Sequence, residues 1–265
     1  MSQSFLEKVV EKTRSAIEKP EVNTEALKER AWQVRQAVPG GRLLNALAPK
    51  ARPNIIAEIK RSSPSKGVIN DSIDVRKLAR DYESGGAAAI SVLTESEYFG
   101  GSIDDLKAVR SVVDLPILRK DFIVEEYQMY EAADAGADAV LLIVAALNEQ
   151  ELNDLLRLVH DLNMDALVEV HSANEIRIAA AAGAGIIGIN NRDLHSLEVS
   201  LDVSRKLIHE RPPGTLMVAE SGLSTKAEID ELHELGFDGF LIGETLMRSA
   251  DPAAALNKLI LGVSA

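Results

Sequence analysis

Cysteine is absent from this chain of 265 residues. That removes disulfide frameworks, zinc–thiolate centres and cysteine nucleophiles together. Histidine is sparse. The five present (His160, His171, His195, His209, His233) form no HExxH or paired metal-ligand spacing, and each is read as a surface or helix residue. Positive charge is in deficit, with 29 Lys and Arg against 41 Asp and Glu, a net charge of −12. An acidic surface argues against nucleic acid and against anionic membranes as partners. It leaves room for an anionic small substrate, which needs only local positive potential. Long apolar runs are also missing. The longest, Ala139 to Leu147, is too short to cross a bilayer. The stretch Met1-Ser2-Gln3-Ser4-Phe5-Leu6-Glu7-Lys8 has no signal-peptide character, so a cytoplasmic protein is expected.

What is present is an ordinary globular composition, 46% hydrophobic and 26% charged, with ample material for one large core. A phrase also repeats. Gly86-Ala-Ala-Ala-Ile-Ser-Val-Leu is echoed by Gly136-Ala-Asp-Ala-Val-Leu-Leu-Ile, by Gly183-Ala-Gly-Ile-Ile-Gly-Ile and by Gly236-Phe-Asp-Gly-Phe-Leu-Ile. The spacing is roughly 50 residues, and periodicity of this kind has a structural cause. Each copy follows an alanine-rich amphipathic stretch and reads as a helix-ending glycine before a buried strand. Further apolar runs lie between the copies at 115–119, 164–168 and 215–219. Several helical patterns open on capping signatures: Ser102-x-x-Asp105, Asn148-x-x-Glu151, Ser172-x-x-Glu175 and Thr225-x-x-Glu228.

The alternation yields eight strands, starting near residues 54, 88, 116, 138, 164, 185, 215 and 238. Eight strand–helix units in roughly 200 residues predict an α/β fold, the (β/α)8 TIM barrel. A doubly wound open sheet is the alternative, though it usually has fewer strands at this length. Residues 1–50 are expected to form an N-terminal helical extension, with helices at about 3–18, 24–36 and 41–47 and with Trp32 buried against the barrel. No linker divides the chain, so 1–265 is read as one domain.

Barrel active sites lie at the carboxyl ends of the strands, and six of the eight end in polar or charged residues. Strand 1 ends Glu58-Ile59-Lys60, which puts two charged side chains on one face of a buried strand. Lys120 ends strand 3, Glu169 strand 5 and Asn190 strand 6. Glu220-Ser221-Gly222 ends strand 7 and Gly243 strand 8. Two lysines and three glutamates on one rim shift one another's pKa values and can supply a general acid and a general base. Glu58, Glu169 and Glu220 could hold Mg²⁺ in principle, but two neighbouring ammonium groups oppose it, and no metal is expected. Ser221-Gly222 and Gly243-Glu244 follow strands 7 and 8, where such barrels often hold phosphate on backbone N–H groups. Ser63 and Lys66 offer a third polar loop after strand 1. Three string matches fail on context. Gly183-x-Gly185-x-x-Gly188 ends a helix and opens a strand, the reverse of a dinucleotide fingerprint. Ser63-x-x-Lys66 lacks the partner motifs of a β-lactamase. Asn70-Asp71-Ser72 has no secretory setting.

These residues resemble a family. The segment Asn54-Ile-Ile-Ala-Glu-Ile-Lys-Arg-Ser-Ser-Pro-Ser-Lys-Gly67 is similar to the signature of the indole-3-glycerol-phosphate synthases. The likeness continues through Ser91 to Gly101, Leu118 to Phe122, Leu167 to Val170, Gly188 to Leu194, Ala219 to Gly222 and Phe240 to Met247. It covers essentially residues 1–260. The resemblance implies a cofactor-free lyase of tryptophan biosynthesis. Such an enzyme closes the ring of 1-(2-carboxyphenylamino)-1-deoxyribulose 5-phosphate and releases CO₂ and water. By the same resemblance Lys120 is the general acid and Glu169 the base or proton partner in dehydration. Lys60 holds the substrate carboxylate, Glu58 and Asn190 position the reacting region, and Glu220 and Ser221 form a further polar rim. Ser63, Gly222, Gly243 and the backbone of Glu244 form the phosphate cradle. Phe99, Phe122, Arg192 and Leu194 lie near the aromatic ring or the loops. Asn191, where a small residue is common, and the pair His195-Ser196 depart from the pattern. The expected partner is a small phosphorylated substrate, and the expected state is a monomer, with a dimer as the alternative. A different phosphate-binding barrel enzyme, such as the isomerase one step earlier, would want an Asp–Cys pair that this chain lacks. A non-catalytic ligand-binding barrel would not need both lysines and three glutamates.

Overall fold

The computed structural model describes residues 4–17, 24–64, 66–194 and 196–262. Eight parallel strands close a barrel: β1 (Asn54–Ile59), β2 (Ala89–Leu93), β3 (Ile117–Lys120), β4 (Ala139–Ile143), β5 (Asp165–Val170), β6 (Ile186–Asn190), β7 (Leu216–Glu220) and β8 (Gly239–Ile242). Each pairs with its sequence neighbours, and β1 closes the ring against β8. The expected starts lie within about a residue of the observed ones. Ser62–Ser63 and Gly67–Val68, read as plain loop, form a short antiparallel ladder after β1.

Strand periodicity divides the core in two. Inward residues such as Ile56, Ala89, Leu118, Leu141, Leu167, Ile186, Val218 and Leu241 fill the barrel. Their outward neighbours, such as Ile55, Ile90, Ile117, Val140, Val168, Ile187, Met217 and Phe240, meet the surrounding helices. Because both faces are buried, the strands read as continuous apolar runs. All four expected caps form: the side chains of Ser102, Asn148, Ser172 and Thr225 accept from the backbone N–H groups of Asp105, Glu151, Glu175 and Glu228. The four repeat glycines, Gly86, Gly136, Gly183 and Gly236, have φ between 86° and 110°. In each copy the glycine ends the helix in the left-handed conformation that costs it least.

Two of the four copies carry an aspartate two residues after that glycine, and it works the same way in both. Asp138 accepts from the backbone N–H of Ile117 at 3.0 Å and pairs with Arg110 at 2.9 Å. Asp238 accepts from Met217 N–H at 2.8 Å and pairs with Arg211 at 2.9 Å. These devices lie at the amino end of the barrel. Asp138 also meets Arg42 at 3.1 Å and Arg35 at 3.5 Å, which ties the N-terminal helices to the barrel floor.

Those helices are α1 (Phe5–Ile17), α2 (Thr24–Gln36) and α3 (Arg42–Ala46). Residues 3 and 18, included in the expected first helix, lie outside the described residues. Leu43 of α3 and Leu47 just beyond it plug the bottom of the barrel. The expectation for Trp32 is corrected, since it is exposed at 37%. Arg35, one turn on, is buried instead and donates to the carbonyls of Leu162, Ala137 and Asn163. A guanidinium with five donors can satisfy several carbonyls at a helix–barrel contact, which an indole with one N–H cannot.

Candidate active site

The register of the strands sets their polar ends at one height. Leu93 lies beside Lys120, Ile143 beside Glu169 and Asn190 beside Glu220. Those ends open into a cavity of about 410 Å³. Every candidate residue lines it: Glu58, Lys60, Ser63, Phe99, Lys120, Phe122, Glu169, Asn190, Arg192, Leu194, Glu220, Ser221, Gly222, Gly243 and Glu244. Ser65 and His195 lie outside the described residues.

At its floor three carboxylates are almost wholly buried, Glu58 at 3%, Glu169 at 2% and Glu220 at 1% exposure. Burial of that kind requires partners, and the two lysines supply them. Lys120 Nζ lies 3.3 Å from Glu169 Oε2 and 3.3 Å from Glu220 Oε2. Lys60 Nζ donates to Glu58 Oε1 at 2.5 Å. Gly243 and Gly188 make the space. A Cβ on Gly243 would collide with Glu58 Oε1, and one on Gly188 with Glu220 Oε1. The glycine that completed the false dinucleotide string therefore houses a site carboxylate.

The charges separate the two glutamates at Lys120. Burial works against the Lys120 ammonium, but Glu220, Glu169 and Glu58 outweigh it and hold its pKa above the usual lysine value. Burial also opposes ionisation of Glu169, yet Lys120 and His171 hold its carboxyl below the usual range. Glu220 is pushed up to about 7 by burial, with Glu169 and Glu58 adding to the rise against Lys120. One carboxylate is kept ionised and its neighbour is poised to carry a proton near neutrality, the separation that marks acid–base pairs. With Glu220 protonated, two ammonium groups face two carboxylates and the mouth can accept an anion.

Above the floor, Phe99 and Phe122 stand 6.4 Å apart with rings tilted at 44°. Sequence reasoning missed Phe5 of α1, which lines the same cavity and packs edge-on against Phe122 at 6.2 Å and Tyr98 at 4.9 Å. Ion pairs from Lys12 to Glu97 and from Arg14 to Glu125 and Glu151 hold α1 over this wall. No spacing rule links residue 5 to residue 122. Glu95 was also missed. It accepts from the N–H groups of Glu97, Tyr98 and Phe99 and shapes the loop that presents Phe99. His171, read as a surface or helix residue, sits at the end of β5 beside Glu169 with its side chain 14% exposed.

After β7, Ser221 and Gly222 are both left-handed, at φ 67° and 82°. Asn191 holds this turn. Its side-chain amide donates to the carbonyls of Glu220 and Ser221 at 3.0 and 3.1 Å and accepts from Ser204 N–H at 3.0 Å. After β8, Gly243 precedes a short helix, Glu244–Met247. The Glu244 carboxylate accepts from Arg248 Nε at 3.1 Å, one turn along the chain. Among the described residues no group of three or more His, Asp or Glu is arranged to hold a metal ion, and no helix is long and apolar enough to cross a membrane.

The sequence profile of the family described as indole-3-glycerol phosphate synthase matches residues 6–259. A protein of that name from Carboxydothermus hydrogenoformans is 47% identical over 263 residues, covering 97% of this chain and 99% of that protein. Another, from Syntrophobacter fumaroxidans, is 45% identical and covers 96% and 97%. Among solved structures, 3-hexulose-6-phosphate synthase from Salmonella typhimurium superposes with a TM-score of 0.62 at 14% identity, covering 78% of this chain and 96% of that one. Thiamine phosphate pyrophosphorylase from Pyrococcus furiosus gives 0.59 at 19%, covering 78% and 93%. At such identities the two structures show the barrel fold alone.

Proposed function

The chain belongs to the indole-3-glycerol phosphate synthase family, and from that premise we propose which of its residues carry out the reaction. The enzyme is a carboxy-lyase of tryptophan biosynthesis. The observation that carries the assignment of roles is the Lys120 ammonium, 3.3 Å from both Glu169 and Glu220 at the floor of the cavity.

In 1-(2-carboxyphenylamino)-1-deoxyribulose 5-phosphate the ring carbon that bears the carboxylate attacks the ketone carbon of the sugar chain. Lys120 gives its proton to the ketone oxygen as the new carbon–carbon bond forms. The carboxylate leaves as CO₂, and its bonding electrons restore the aromatic ring. The hydroxyl then departs as water after taking a second proton, and Glu169 receives the proton lost from the methylene beside nitrogen. Glu220, within reach of Lys120, returns a proton to it between the two steps. Asn190 and Glu58 orient the reacting atoms, and Phe99 and Phe122 flank the aromatic ring. Direct fluorescence detection of indole-3-glycerol phosphate from this substrate tests the whole reading, and absence of product would reject it.

Lys60 is assigned to the substrate carboxylate, because its ammonium is anchored on Glu58 and still lines the cavity. Lys60→Met is expected to weaken binding of carboxylated ligands more than that of analogues without the carboxylate. Inhibition constants for a matched pair of analogues decide this, and equal losses for the two would remove the role.

Phosphate is assigned to the turns after β7 and β8, on the backbone N–H groups of Gly222, Gly243 and Glu244 with the Ser63 hydroxyl. Backbone amides concentrate positive potential in an acidic protein without adding net charge. The Glu244 carboxylate would repel a phosphate, and its engagement by Arg248 supports a contribution from its N–H alone. Gly222→Val is expected to raise KM for the phosphorylated substrate. A β-carbon there is strained at positive φ and presses on Val199. An unchanged KM would argue against this cradle. The reading extends to a cytoplasmic monomer that requires no metal.

A further inference from the structure

His171 follows Glu169 by two residues at the end of β5 and therefore shares its face. Its Nε2 lies 3.5 Å from Glu169 Oε1, and its Nδ1 lies 3.6 Å from Glu175 Oε2. Both ring nitrogens are fully buried and make no conventional hydrogen bond. Each faces a carboxylate. A neutral imidazole has one N–H and one lone pair, so in either tautomer a lone pair would be aimed at a carboxylate oxygen. Only the doubly protonated ring suits both neighbours.

Glu175 is itself held in place. It stands in the first turn of the helix Ala173–Ala181, where the helix dipole favours a carboxylate. It accepts from the backbone N–H of His171 at 2.8 Å and from the Ser172 hydroxyl at 3.1 Å. The chain Glu175–His171–Glu169 thus runs from a helix terminus on the barrel's outer ring to the cavity floor. It meets Glu169 on one oxygen, while the other faces Lys120.

We infer that His171 is a positioning residue of this enzyme: as an imidazolium clamped between Glu169 and Glu175, it fixes Glu169 Oε1 and leaves Oε2 turned toward the reacting atoms. The inference rests on the assignment of Glu169 as the base. The charged groups that face the ring are Glu169 on β5, Glu175 in the first turn of the following helix and Glu220 on β7. Burial disfavours the charged ring, but Glu175, Glu169 and Glu220 outweigh it and raise its pKa above the usual histidine value.

The test measures kcat and KM against pH for the wild type, His171→Asn, His171→Gln, His171→Ala, Glu175→Gln, Glu169→Gln and the double variant H171N/E169Q. A misplacement of about 1 Å at a reacting group costs about 10²-fold. His171→Asn and His171→Ala are therefore expected to lose about tenfold to a hundredfold in kcat at little change in KM. His171→Gln keeps a donor toward Glu169 and should recover part of the loss. With its positive neighbour gone, Glu169 becomes a stronger proton acceptor, so the acid limb of kcat shifts to higher pH. Adding His171→Asn to Glu169→Gln should cost nothing more. An equal loss in both backgrounds, or an acid limb that does not move, would overturn the inference. A Glu169→Gln variant with wild-type kcat would instead reject the base assignment, which is a different outcome. Should the His171 variants fail to fold, Glu175→Gln carries the test: it is expected to give a smaller shift of the acid limb in the same direction, and no shift would overturn the inference.

Discussion

Lys120→Ala and Glu169→Gln each lower kcat by about 10²–10⁴-fold, the range for removal of a positioned general acid or base, while the fold survives. The two effects are not expected to add. Lys120 and Glu169 share an ion pair 3.3 Å long at the bottom of one cavity, and residues that act as a unit lose most of their effect with the first substitution. Survival of the fold follows from the chemistry of what remains. Without Lys120, Glu169 and Glu220 face each other deep in the barrel, and a buried carboxyl relieves that repulsion by taking up a proton. Glu169→Gln keeps the shape and removes only the charge. Rapid-mixing measurement of product formation, with circular dichroism to confirm folding, checks both variants. Near-wild-type kcat in both would overturn the acid–base pair. In the wild type the acid limb of kcat/KM is expected below the ordinary carboxylate range. Lys120 and His171 hold Glu169 ionised, so its base form persists as pH falls until that depressed pKa is reached.

Asp138→Ala is expected to cost about 3–5 kcal/mol of folding free energy, the range for leaving a buried charge without its partner. Asp138 is 1% exposed and serves Arg35, Arg42, Arg110 and the N–H of Ile117 together. Asp238 is the internal control. It performs the same task under β7 but has one arginine, Arg211, whose side chain is 33% exposed, so Asp238→Ala should cost less. Urea midpoints at constant m decide the comparison. A loss below about 1 kcal/mol for Asp138→Ala, or one no greater than for Asp238→Ala, would show that the N-terminal helices are not tied down through this residue. Because Asp138 lies at the end of the barrel away from the cavity, kcat of the folded variant is expected to be unchanged.

The strands, the helix caps, the repeat glycines and the polar rim were all legible in the chain, because each depends on local rules. Periodicity sets which face is buried, a Ser or Thr three residues before a Glu caps a helix, and Glu58 with Lys60 share a face of one strand whatever surrounds them. Once eight such units close into a barrel, the ends of the strands must converge, so the polar residues at those ends could be placed in one cavity from the sequence, while Phe99, Phe122, Arg192 and Leu194 were named only through the family resemblance. What the tertiary structure alone decided are contacts between residues with no fixed spacing. Phe5 reaches Phe122 only because α1 lies across the mouth. Arg35 rather than Trp32 is buried because the contact between α2 and the barrel floor offers carbonyls that want several donors. The pKa separation of Glu169 and Glu220 depends on burial and on the charges each meets in the folded barrel: Lys120 and His171 hold Glu169 down, while Glu169 and Glu58 add to the rise that burial imposes on Glu220. Gly188 is a gap for Glu220 only because β6 and β7 are in register. Local pattern determines which side chains point inward and at what height, whereas charge, burial and contact at the centre of the barrel are properties of all eight strands together.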